Sequence, residues 1–291
     1  MKGVNRLTAF HGSAACKTEL AGELKDDGAL CRILLAGRAG DLRFDFLHEE
    51  YGLEPSLLRL MVALCWQDMD PVSQAFLRDV VEGIEPGTNS VAVVTAWLIW
   101  CLSDPQSGLL SKLGGPTLDA AGAVGAALER SRGGPVPARV WRTARRNLGG
   151  IDAGPVETRY LNAVAAMAWD LGMVPGLVQD VVMCCGQAIR QDVYHQEGWS
   201  TAKEIEVVEQ YRAFSAEASK LAEVSSIEDP KERHRAQEAA VDTLWRKSGK
   251  LDLLETQKRC ASQAWEQIGE WTKSARAALV AGARASSQMI V

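Results

Sequence analysis

The sequence predicts a mainly α-helical protein: a multi-helix bundle with a small N-terminal β-hairpin and long C-terminal amphipathic helices. Three observations carry this expectation. From Thr201 to Ser286 apolar residues recur every three or four positions, and short of Gly282 the helix breakers are Pro230, Gly249 and Gly269. Upstream, Pro55, Pro71, Pro116, Pro155 and Pro175 stand at helix-length intervals, and proline is well suited to a first helical turn because its missing N–H has no partner there anyway. One stretch alone alternates with period two, Leu42, Phe44 and Phe46 against Arg43 and Asp45.

Taken in order, Ser13 can cap a short helix that Asp26-Asp27-Gly28 ends. Leu30 to Leu35 and Leu42 to Phe46 read as two strands joined through Gly37-Arg38-Ala39-Gly40, a loop containing glycine. Helices are expected from Pro55 to Trp66 and from Asp70-Pro71 to Gly83, with a turn at Glu85-Pro86-Gly87. Val91 to Leu102 is apolar on all sides, which marks a buried helix. Its twelve or so residues fall short of the roughly twenty that span a bilayer. Pro116 opens a helix whose Gly122, Gly125 and Ala126 permit close packing. Gly133-Gly134-Pro135-Val136-Pro137 interrupts the chain before an arginine-rich helix from Ala138 to Leu148. The glycines at 149, 150 and 154 suggest a division into an N-terminal helical domain with the hairpin, residues 1–148, and a C-terminal helical domain, residues 149–291. Val156 to Leu171 and a helix from Pro175 toward His195 precede Thr201-Ala202-Lys203-Glu204, a capping-box pattern.

Two stripes mark the C-terminal region. Val207, Tyr211, Phe214, Ala218 and Leu221 form one; Ala261, Ala264, Ile268, Trp271, Ala275, Ala278 and Gly282 form the other. Alternating three- and four-residue spacing places each set along one helix face, and small side chains let helix axes approach. An antiparallel hairpin turning near Pro230 would bury them within the chain; otherwise Ala264, Ile268, Trp271, Ala275 and Ala278 would face another subunit.

Charge is unevenly placed. Between Asp41 and Glu85 ten acidic residues face three arginines, whereas Arg130, Arg132, Arg139, Arg142, Arg145 and Arg146 follow one another with no acid between them. Arg139, Arg142 and Arg146 share a helix face, with Arg145 beside them and Trp141 near in sequence. Guanidinium groups so arranged neutralise phosphates, and an adjacent indole can stack on a base. The same face could instead pair with the acidic stretch.

Recognisable catalytic chemistry is absent from the pattern. None of the four histidines stands four residues from another, so no zinc-binding HExxH helix exists, and there is no phosphate loop, nucleophile elbow or EF-hand. The seven cysteines fall in no CxxC spacing, and several lie in apolar runs, which suits reduced thiols packed as small hydrophobes in a cytoplasmic protein. No catalytic residue, metal or cofactor is expected. The leading expectation is a non-enzymatic structural or adaptor subunit of a larger assembly, bound through its C-terminal helices to a protein partner or to further copies of itself. The alternative is an RNA- or DNA-binding helical protein using the Arg139–Arg146 helix. A small-molecule enzyme in an all-helical fold comes third.

Overall fold

The computed structural model describes residues 8–23, 42–65 and 71–286. These residues form thirteen α-helices and two 3-10 turns, with no strand among the described residues. In chain order the helices are α1 (Ala14–Glu23), α2 (Leu42–Tyr51), α3 (Pro55–Leu64), α4 (Pro71–Gly83), α5 (Ser90–Ser103), α6 (Gly115–Arg132), α7 (Ala138–Gly149), α8 (Pro155–Met167), α9 (Leu177–Gln196), α10 (Thr201–Ala218), the single turn α11 (Ala222–Ser225), α12 (Pro230–Lys247) and α13 (Leu251–Ser286).

The expected N-terminal β-hairpin is not seen. Its second strand is helix α2, and Leu30 to Leu35 lie outside the described residues. The reason is visible in burial. Phe44, Leu47 and Tyr51 are enclosed, while Phe46 is 54% exposed. Spacings of three and four residues are a helical face; the five-residue alternation ended before that longer period could show itself.

The chain divides into two compact units, Met1–Ala188 with Glu270–Val291, and Ile189–Gly269. Both α7 and α8 belong to the first. The centre of that first unit is α5. Val93, Val94, Trp97, Leu98, Cys101 and Leu102 are all buried along it, and the Asn89 side chain caps its start by accepting the Val91 N–H at 3.1 Å. Helix α6 approaches α5 at Gly125, where an added Cβ would lie 3.1 Å from Leu102 Cδ2. The C-terminal part of α13 completes this core: Trp97 Nε1 donates to the Ala275 carbonyl at 3.0 Å, and Gly83 faces Ala283 and Arg284. Arg276 joins α3 to α4 by donating to the Leu64 carbonyl at 2.9 Å and to Ser73 Oγ at 3.0 Å.

The first unit also contains a left-handed turn. Phe10 and His11 have φ of 54° and 50°, followed by Gly12 at 74°. Left-handed residues with a Cβ cost roughly 1–2 kcal/mol each, so neighbours must hold them. Phe10 is fully buried; Ala9 donates to the Thr88 carbonyl and accepts from Gly87 N–H; His11 Nε2 donates to the Glu49 and Glu50 carbonyls at 3.0 and 3.1 Å. Gly52, at φ 63°, gives the chain room there, since a Cβ would meet the Thr8 carbonyl oxygen.

The second unit is smaller. Helices α10 and α12 form an antiparallel pair joined through α11, and Asp229 with Pro230 restarts the helix. Val207, Phe214 and Ala218 of the first expected stripe are buried there with Val241, Trp245, Leu254 and Cys260. Phe214 meets Trp245 edge-on at 5.2 Å. The cap of α10 is Ser200, one residue before the expected Thr201, with Ser200 Oγ accepting from Lys203 N–H; Glu204 accepts instead from Trp199 Nε1 at 2.7 Å. At the end of α9, Gly198 takes φ 62° and Trp199 N–H donates back to the Tyr194 carbonyl at 2.7 Å, the six-to-one bond of a Schellman motif.

Candidate polyanion-binding surface

Helix α7 is the most strongly two-faced helix of the first unit. Trp141, Ala144 and Leu148 are buried, whereas Arg139, Arg142 and Arg146 are exposed on the opposite side. No ion pair reaches those three arginines among the described residues, and none links α7 to the acidic stretch between residues 41 and 85. The helix has no acidic residue in its first turn and no side-chain cap, while Arg139 sits in that turn. A cation there opposes the helix dipole by about 0.3–1 kcal/mol, so an anion would stabilise this end of the helix.

The two tryptophans near this face have different fates. Trp141, the indole in which the sequence suggests a base-stacking group, is 3% exposed, and its Nε1 is buried with no hydrogen-bond acceptor among the described residues. Trp169, which follows α8, is 41% exposed. The Arg145 guanidinium lies 3.6 Å from the Trp169 ring centroid and donates to the Ala168 carbonyl at 2.6 Å. Arg145 thereby holds the indole in place, through a cation–π contact, and the available aromatic surface is that of Trp169. Nothing in the 3.6-residue period marked Trp169; only the fold brings residue 169 to α7.

Beside this surface a cleft of about 30 Å³ is lined by Val91, Thr95, Ser131, Trp141, Trp169 and Asp170, among others. That volume holds about two waters, so this cleft does not enclose a base. Asp170 is already occupied in accepting the Gly172 N–H at 2.8 Å.

The expected interface residues of α13 have mixed surroundings. Ala264, Trp271 and Ala275 are buried in the chain itself, and Ile268 and Ala278 are partly exposed. The exposed apolar side chains of the second unit lie elsewhere: Ile205, Val208 and Tyr211 on α10 and Trp265 on α13.

Two histidine rings, His11 and His48, hold backbone carbonyls, whereas Glu49, Glu50 and His195 take part through their main-chain carbonyls. His48 Nδ1 donates to the Leu53 carbonyl at 3.0 Å, and the carbonyls of Glu49 and Glu50 receive His11. The His195 carbonyl accepts the Gly198 N–H at the end of α9. No group of three or more metal-ligating side chains exists among the described residues, and no helix there is long and apolar enough to cross a membrane. Comparison with known proteins yields no match to this chain, whether among family models, curated proteins or solved structures.

Proposed function

We propose that the chain is a non-enzymatic binding protein whose α7 face takes a single-stranded nucleic acid. The observation that carries this reading is the pairing of three exposed arginines that make no ion pair among the described residues, Arg139, Arg142 and Arg146, with the part-exposed Trp169 indole, one face of which stacks on Arg145. Phosphates would meet the arginines and a base would lie on the indole; both contacts are indifferent to sequence, because every nucleotide has a phosphate and a π face.

Fluorescence anisotropy of labelled single-stranded RNA and DNA across a salt series tests it. Affinity should fall with salt, and changing Arg142 and Arg146 to alanine should lower the log–log slope by about 0.7 for each phosphate left without its arginine. Trp169→Ala should cost about 1–3 kcal/mol with little change of slope, whereas Trp141→Phe, which shrinks a buried ring, should leave binding intact in the folded chain. Absence of salt-sensitive binding at about 50 mM salt, where the electrostatic contribution is large, would refute the reading.

A second reading, a protein-binding adaptor, draws support from Ile205, Val208 and Tyr211, three apart along the outside of α10. If they meet a partner or another copy, Ile205→Lys with Val208→Lys should reduce the mass measured by light scattering without lowering thermal stability. An unchanged mass would leave those side chains as ordinary exposed apolar groups, which folded surfaces commonly contain.

A further inference from the structure

Helix α5 and helix α9 bring two sulfurs together. Cys101 Sγ and Cys185 Sγ are 3.7 Å apart, buried, and separated by 84 positions in sequence. We propose that Cys101 and Cys185 are a redox-responsive thiol pair that a peroxide converts to a disulfide, tying α5 to α9 within the first unit.

The two sulfurs are already in contact. To reach a bond of roughly 2.05 Å they must approach by about 1.7 Å, which requires side-chain rotation and adjustment of the two helices. The chemistry balances in two steps. One thiol, as its thiolate, attacks a peroxide oxygen; the O–O bond breaks, and a sulfenic acid and water form. The second sulfur then attacks the sulfenic sulfur; the S–O bond breaks, the S–S bond forms, and a second water leaves. Two thiols lose two electrons, and the peroxide accepts them.

The surroundings determine the rate. Contact with Cys101 and burial push the Cys185 thiol well above its usual range, so little thiolate exists at neutral pH and the pair reacts slowly, through local opening. The adjacent Cys184 provides an internal comparison. It is only partly buried, burial raises its thiol as well, and successive helix positions differ by about 100°, so it faces a different side of α9. A sulfur that is more accessible but lacks a partner should be oxidised without forming this link.

Mass spectrometry decides the matter. The folded full chain is incubated with hydrogen peroxide, remaining thiols are alkylated, and proteolytic peptides are mapped without reduction. The expected result is a linked peptide pair lighter by about 2 Da than its two reduced parts, with fragmentation placing the bond between Cys101 and Cys185. Dithiothreitol should reverse it. The link should persist in Cys184→Ser and vanish in Cys101→Ser, and in wild type it should raise the melting temperature by roughly 5–10 °C. Peroxide treatment of the folded chain that leaves Cys101 and Cys185 alkylatable once the chain is unfolded, or that links Cys101 to Cys184 instead, overturns the proposal. If Cys101→Ser does not fold, the fragmentation assignment in wild type and the Cys184→Ser variant carry the same decision.

Discussion

Trp97 and Trp245 are both buried to about 1% exposure, one in each compact unit, yet their indoles are satisfied differently. In the first unit the Trp97 N–H donates to the Ala275 carbonyl, so the indole's polar atom is tied to a helix that arrives late in the sequence. In the second unit the Trp245 Nε1 is buried with no acceptor among the described residues, and its ring packs edge-on against Phe214. The larger unit combines apolar burial with a directional contact that fixes α13 against α5. In the smaller one the directional contacts are made by other groups, such as Gln237 Nε2 donating to the Ser215 carbonyl at 3.3 Å and Lys250 Nζ to Glu206 at 2.8 Å. An indole is therefore no guide by itself to how its core is specified; the partner of its one polar atom is.

Removing the indole of the larger unit should have the greatest effect. Trp97→Ala deletes a fully enclosed side chain and its hydrogen bond, for an expected destabilisation of about 3–5 kcal/mol in denaturant unfolding. A value below about 1 kcal/mol would mean that α13 does not complete this core.

The comparison is sharpened by phenylalanine. Trp97→Phe gives up a made hydrogen bond, whereas Trp245→Phe removes an unmade one, and both variants remove a similar volume. A buried hydrogen bond contributes about 0.5–1.5 kcal/mol net, while an unsatisfied buried donor carries a penalty. The variant at 97 should therefore be less stable than the variant at 245 by about 1–2 kcal/mol. Equal destabilisation would show that the two indoles are equivalent.

Two aspartates extend the contrast to helix ends. Asp229 accepts from the Lys231 and Glu232 N–H groups at 2.8 and 2.9 Å to begin α12. Asp229→Ala should cost about 1 kcal/mol, with hydrogen exchange rising first in α12.

The smallest effect belongs to Asp104, after α5. The Ser107 and Gln106 N–H groups donate to its carboxylate at 2.8 and 3.1 Å, and these bonds, that from Ser107 foremost, lower its pKa. A carboxyl lowered in the folded state stabilises above its unfolded pKa, near 3.9, and that contribution disappears as the pH falls through the lower folded value. Asp104→Asn should flatten this acid limb by lowering stability at neutral pH toward its acid value, a small loss for a part-exposed carboxylate; an acid limb identical to wild type would assign the titration elsewhere.

Most helices were legible because their buried faces repeat over ten or more residues. Proline and Asn89 marked starts that the structure retains at Pro55, Pro71, Pro155 and Ser90. Residues 42–46 misled because five residues can satisfy two periods at once; the helical one needed Leu47 and Tyr51 to declare itself. At the candidate surface, the arginine face was legible from spacing within one helix. Trp169 was not, because its place beneath Arg145 depends on how α8 returns to α7. Cys101 and Cys185 were equally hidden, since no local pattern records a meeting between positions 84 apart.

The Trp97–Ala275 contact also bears on the order in which the protein matures during synthesis. The acceptor is polymerised 178 residues after the donor, which at about 5–20 residues per second is roughly 10–35 s later. Throughout that interval the nascent first unit holds an incomplete core, with Trp97 awaiting its cover. The second unit is one uninterrupted segment, Ile189–Gly269, so its own contacts close over shorter loops, and shorter loops close sooner. The larger body begins first and finishes last, and the exposure of its α5 core during translation is set by the distance along the chain to Ala275.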